Sequence, residues 1–200
     1  MNSLYHQTRF LLSTLEFAKD VPDEGFEVAF VGRSNAGKSS AINTLTNQKT
    51  LARTSKTPGR TQQLVFFQVD TKRRLVDLPG YGFAKAPAQV QERWRKALED
   101  YFRQRKCLKG AFLIMDIRHP LTEFDWRMIE WCIHYQRPLH ILLTKADKLS
   151  YALAKNTLLK VQKVLAEYSR NLSCQIFSAP KRIGIDQAHA VLDRWLGVER

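Results

Sequence analysis

Gly32-Arg33-Ser34-Asn35-Ala36-Gly37-Lys38-Ser39 follows at once on the short apolar run Phe26 to Val31 and leads into Gly37 to Leu45, a segment suited to a helix. The string satisfies G-x-x-x-x-G-K-[ST], a pattern that needs a strand before it and a helix after it, so it constrains the fold more than anything else in the chain. In that setting the glycines let backbone N–H groups close around phosphate oxygens, the helix N-terminus adds partial positive charge, and Lys38 adds a full one. Gly32, Arg33, Ser34, Asn35, Ala36, Gly37, Lys38 and Ser39 are therefore candidate phosphate-binding residues, and the Ser39 hydroxyl is a candidate ligand of Mg2+. A glycine-rich turn with a merely solvated lysine would explain the string alone; the strand, loop and helix around it argue against that explanation.

Strand-like and helix-like segments alternate along the rest of the chain, which predicts an α/β fold. Gln63 to Val69 and Arg74 to Leu78 flank a short polar turn and read as an antiparallel hairpin at one edge of the sheet. Gly110 to Ile117 and Pro138 to Thr144 are nearly unbroken apolar runs, as expected of central parallel strands buried on both faces. Cys174 to Phe177 completes about six strands, with helices expected from Val90 to Arg103, Thr122 to Tyr135, Ser150 to Tyr168 and Gly184 to Leu196. No repeat or linker divides the 200 residues, so one domain is expected over 26–197, with 1–25 as an extension packed on it and 198–200 as a tail.

Apolar residues make up 44% of the chain and charged residues 26%, which excludes a disordered or collagenous chain. No run approaches the length of a membrane span, and nothing resembles a secretory signal, so membrane insertion is not expected. Three widely spaced cysteines without a Cys-x-x-Cys pair fit a reduced, cytoplasmic setting and no zinc site. The formal net charge of +13 calls for an anionic partner without choosing among nucleic acid, lipid and phosphorylated ligands.

Two further motifs narrow the choice. Asp77-Leu78-Pro79-Gly80 closes the second hairpin strand, where a carboxylate can orient a magnesium-bound water and the Gly80 N–H can meet a γ-phosphate. Thr144-Lys145-Ala146-Asp147 closes a buried strand, at the sheet edge where such folds bind nucleotides. The Asp147 carboxylate can accept both N–H donors of a guanine pairing edge, whereas adenine would set a lone pair against it. Lys145 would lie along the base, and a backbone N–H of Phe177-Ser178-Ala179 would meet the guanine carbonyl. The four tryptophans, Trp94, Trp126, Trp131 and Trp195, fall on helical faces and read as packing residues, and His119 has no nucleophile or paired carboxylate to work with.

The four strings in this order resemble the translation-factor-like class of small GTP-binding proteins. Lys56-Thr57-Pro58-Gly59-Arg60-Thr61, Asp77 to Ala84 and Asp116-Ile117-Arg118-His119-Pro120 together resemble the bacterial EngB family. That resemblance implies a six-stranded, mixed, mostly parallel sheet with helices on both faces, and GTP or GDP with Mg2+ as ligands. It also implies a large ribosomal subunit precursor with its rRNA as partner, a cytoplasmic location, and a link to cell division and septation. No DNA specificity is expected, and no heptad run or long apolar edge calls for a dimer. By the same resemblance, Gly59, Arg60 and Thr61 contact nucleotide, and the Thr61 hydroxyl meets Mg2+ beside Ser39. Lys38, Thr61 and Gly80 are thus the expected catalytic residues. Asn35 matches an asparagine of potassium-dependent relatives, though a plain loop asparagine explains it equally well. Tyr81 stands where better-known GTPases carry a water-positioning glutamine, so intrinsic hydrolysis well below about one turnover per second is expected.

Two functions compete at this point: a GTP-hydrolysing assembly switch, and a basic RNA-binding protein that keeps GTP as a structural ligand. Three basic groups are candidates for a shared RNA-facing surface: Lys49, Arg53, Lys56 and Arg60; Lys72, Arg73 and Arg74; and Arg103, Arg105, Lys106 and Lys109.

Overall fold

The computed structural model describes residues 2–53, 63–80 and 88–198. Its strands are β1 (Arg9–Thr14), β2 (Phe26–Gly32), β3 (Leu64–Gln68), β4 (Arg73–Asp77), β5 (Leu108–Asp116), β6 (Leu139–Thr144) and β7 (Leu172–Ile176). Its helices are α1 (Phe17–Asp20), α2 (Lys38–Leu45), α3 (Ala88–Gln104), α4 (Glu123–His134), α5 (Tyr151–Ala166) and α6 (Ile185–Trp195). One sheet runs in the order β1-β3-β4-β2-β5-β6-β7. Strands β4, β2, β5, β6 and β7 are parallel, and the β3–β4 hairpin is antiparallel, as its short turn requires.

The sheet has seven strands where the sequence pattern suggests six. The seventh, β1, pairs antiparallel with β3 and displaces the hairpin from the edge. Its side chains are mostly exposed, Phe10 and Leu11 among them, so an edge strand held largely by backbone pairing leaves no alternation to read. A shift of register between Phe10 and Leu12 interrupts the ladder, as expected of a protected edge.

Strand alternation divides the core in two. On β2, Ala29 and Val31 face α3, α4 and α5, packing with Leu98, Tyr101, Phe102, Met128 and Leu165. Val28 and Phe30 face the other way, toward Ile42 and Leu45 of α2 and Leu192 of α6. Trp126, Trp131 and Trp195 pack partly buried against these cores, as expected; the Trp94 side chain lies outside the described set. Register sets Phe30 beside Asp77, Gly32 beside Ile114 and Asp116 beside Thr144, which aligns the carboxyl ends of β2, β4, β5 and β6 along one edge.

At the opposite edge lies an ion network that corrects one expectation. Glu27 of β2 is fully buried and accepts from Arg74 Nε at 2.7 Å, Arg105 Nη2 at 2.6 Å and Tyr101 Oη at 3.1 Å. Arg105 also donates to the Val21 and Pro22 carbonyls, and Arg73 to those of Leu196 and Gly197. Arg74 and Arg105 are therefore internal ties between the N-terminal segment, β4 and the end of α3, and not part of an RNA-facing surface. Lys56 and Arg60 lie outside the described residues.

Candidate functional site

The loop between β2 and α2 leaves its strand under tight constraint. A side chain at Gly32 would come within 2.5 Å of the Ile114 carbonyl, so only glycine lets the turn start against β5. Asn35 has φ +63° and Gly37 φ +101°, left-handed conformations that fold the loop back on itself. Gly37 caps α2 without a side-chain hydrogen bond, so the first N–H groups of the helix face the loop. This is the geometry the phosphate-loop string calls for.

Asp77 ends β4 beside this loop, and its Oδ1 accepts from Lys38 Nζ. Both side chains are mostly buried, so cation and carboxylate share one low-dielectric strand end. Leu78 N–H donates to the Phe30 carbonyl at 2.9 Å, which carries the chain past the loop through Pro79 to Gly80. A side chain on Gly80 would lie 3.1 Å from the Gly32 carbonyl and 3.3 Å from the Ser34 nitrogen, so its backbone rests on the loop. The Ser39 hydroxyl donates to the Arg53 carbonyl at 3.2 Å.

Ser39 and Asp77 are hard oxygen donors of the kind Mg2+ takes. Among the described residues no cluster of three or more His, Cys, Asp or Glu exists, which fits an ion completed by phosphate and water oxygens and not by a protein cage. Gly59, Arg60, Thr61 and Tyr81, expected to serve the same site, fall outside the described residues.

The second motif meets the first through two side chains. Thr144 Oγ1 lies 2.5 Å from the Ala36 carbonyl, and Lys145 Nζ donates to the Asn35 carbonyl at 2.7 Å. Lys145 is itself left-handed, with φ +59°, at the head of the short turn Ala146–Lys148. Asp147 accepts from the Ser178 hydroxyl at 2.6 Å. Ala146 N–H donates to the Phe177 carbonyl at 3.2 Å, which locks the two loops together. The Ser178 bond, with Lys148 and Lys181 nearby, holds the Asp147 carboxyl below the usual carboxylate range despite some desolvation. Of the three backbone donors around Ser178, that of Phe177 is taken by Leu143 and that of Ser178 by Ile183. Ala179 N–H is the one left for a guanine carbonyl among the described residues.

A cleft of about 900 Å³ opens over the loop, lined by Asn35, Lys38, Ser39, Asp77, Gly80 and Lys145. Thr8, Arg9, Phe10 and Ser13 form its far wall, a contribution that β1 hides from sequence reasoning because their link to the site is through pairing with β3. Asp147 and Ser178 lie beyond this lining, on the other side of Lys145. The arrangement provides an anion cradle, a hard-cation position and a carboxylate for a purine edge.

A family model described as 50S ribosome-binding GTPase matches residues 27–145. The chain is 53% identical over 195 residues to the "Probable GTP-binding protein EngB" of Coxiella burnetii, covering 98% of this chain and 95% of that protein. Among solved structures, a probable GTP-binding protein EngB matches with TM-score 0.67 and 22% identity, over 86% of this chain and 100% of that one. A variant of Aquifex aeolicus Era bound to GDP and aluminium fluoride matches with TM-score 0.64 and 17% identity, over 88% of this chain and 58% of that one. At such identities the two structures speak for the fold alone.

Proposed function

The chain belongs to the EngB family of GTP-binding proteins, and from that premise we propose that it is a cytoplasmic GTPase switch in assembly of the large ribosomal subunit. Lys38 and the backbone of 32–39 take the β- and γ-phosphates, Ser39 with Thr61 holds Mg2+, Asp77 orients its water, and the Gly80 N–H reports the γ-phosphate. When bound, Mg2+ neutralises charge on the phosphates. Hydrolysis is slow without a partner, because Tyr81 cannot position water as a glutamine does. Asn35 is the position through which K+ would act. A disturbance of cell division would follow from failed ribosome assembly.

One observation carries the base assignment: Asp147, fixed by Ser178, stands two residues from Lys145, whose ammonium rests on the Asn35 carbonyl. Support for the ribosomal partner comes from the name of the matching family model and from the surplus charge. Part of that charge is on α5, where Lys155, Lys160 and Lys163 are exposed and no acidic residue offsets them. Phosphate release should be slow for the protein alone and rise when large-subunit precursors are added, more in K+ than in Na+. Absence of stimulation under every condition would favour a basic RNA-binding protein that holds GTP without useful turnover.

A further inference from the structure

Asp116 ends β5 in register with Thr144 of β6, which sets its carboxylate beside the next residue, Lys145. Asp116 Oδ2 lies 3.0 Å from Lys145 Nζ, while the same ammonium donates to the Asn35 carbonyl at 2.7 Å. Arg118 completes the cluster: its N–H and Nε each donate to Asp116 Oδ1 at 3.0 Å, and its Nη2 to Oδ2 at 2.7 Å. The Asp116 side chain is 16% exposed and that of Lys145 32%, so water competes only in part for the pair. The left-handed backbone of Lys145 is a conformation that a non-glycine residue adopts at a cost, and it persists where the surroundings fix it. The ammonium has two anchors here, one on the phosphate loop and one on β5.

We propose that Asp116 is a positioning residue for the guanine nucleotide, acting through Lys145. Its carboxylate pins the ammonium against the phosphate loop and so sets the lysine stem, and the turn that carries Asp147, in place before ligand arrives. Arg118 keeps the carboxylate charged and aimed. The nucleotide then binds without paying to order this lysine. This deepens the reading given above and rests on it.

A double-mutant cycle on GDP affinity, read by titration calorimetry, tests the idea. Asp116→Asn should weaken GDP roughly tenfold, the size expected for loss of a charge-assisted contact. Combined with Lys145→Met it should weaken GDP no further than Lys145→Met alone, because the carboxylate works only through the ammonium. Asp116→Glu, which keeps the charge within reach, should recover most of the affinity and covers the case in which Asp116→Asn does not fold. Arg118→Ala spares both partners and should stay within about threefold of the parent. Losses that multiply in the double variant, an unchanged Asp116→Asn, or an Arg118→Ala as weak as Asp116→Asn would overturn the proposal; the last would assign Asp116 to the 116–118 turn alone. Failure of the parent protein to bind GDP would count against the functional reading itself, and the proposal would go with it.

Discussion

Ser178 donates its hydroxyl to Asp147 Oδ1 at 2.6 Å, so the carboxylate assigned to guanine is oriented by a residue thirty-one positions away on another loop. Strands β6 and β7 run parallel, and their ends bring the two loops together. The bond is also the first reason the Asp147 carboxyl sits below its usual range.

That lowered pKa has a definite sign. A carboxylate whose folded pKa is depressed contributes above its unfolded value, ~3.9, and the contribution disappears as pH falls through the folded value. GDP affinity should therefore be flat from neutrality down to about pH 5. Ser178→Ala should weaken GDP by roughly threefold to tenfold at pH 7, the range for one hydrogen bond to a charged group, and move the acid limb upward. Calorimetric titration across pH checks both; an acid limb that stays in place would break the link between hydroxyl and carboxylate.

Lys38 and Asp77 meet at the end of β4, and each has a separate task once nucleotide and metal are present. Lys38→Met should abolish detectable GTP binding. Asp77→Asn should retain binding but flatten its dependence on Mg2+, measured by titration with and without chelator. Equal Mg2+ dependence in parent and Asp77→Asn would remove Asp77 from the metal site.

Glu27 is buried with Arg74 and Arg105 on its oxygens. Removing one partner from such a cluster leaves buried charge uncompensated, so Glu27→Gln should cost about 3–5 kcal/mol in urea unfolding. Glu92→Gln, which breaks an exposed pair with Arg95 on α3, should leave the midpoint unmoved. Similar midpoints for the two variants would contradict the assignment of Glu27 as the internal tie.

Cys107, Cys132 and Cys174 are free and buried, and burial pushes each thiol up to about 12. Thiol reagents at pH 8 should label the native protein slowly and the unfolded protein at once, since the thiolate is the reactive form. Saturating GDP should slow native labelling further by holding the fold closed. Prompt labelling of the native chain would place at least one cysteine at the surface.

Strands buried on both faces were the legible part of this fold. β2, β5 and β6 are unbroken apolar runs because helices cover both sides of the sheet, and the phosphate loop lies at the end of the first. β1 was not legible, since Phe10 and Leu11 point into solvent and its only determinant is the partner β3. Arg74 and Arg105 look like surface cations in sequence; their partner Glu27 lies forty-seven and seventy-eight residues away, and only the sheet brings the three together. Asp116 gave a local hint by closing an apolar run, but its contact with Lys145 depends on the β5–β6 register. The residues of the phosphate loop, Asp77 and Asp147 were readable because each chemistry needs its residue at the end of a strand.

The most direct test of the base assignment is a competition between guanosine and xanthosine triphosphate for the parent protein and for Asp147→Asn. The parent should bind the guanosine nucleotide and ignore ATP and the xanthosine form. Asp147→Asn should reverse the order, because an amide can donate to the extra carbonyl of xanthine while giving up one acceptor for guanine. An unchanged preference for guanosine in Asp147→Asn would contradict the account at its centre.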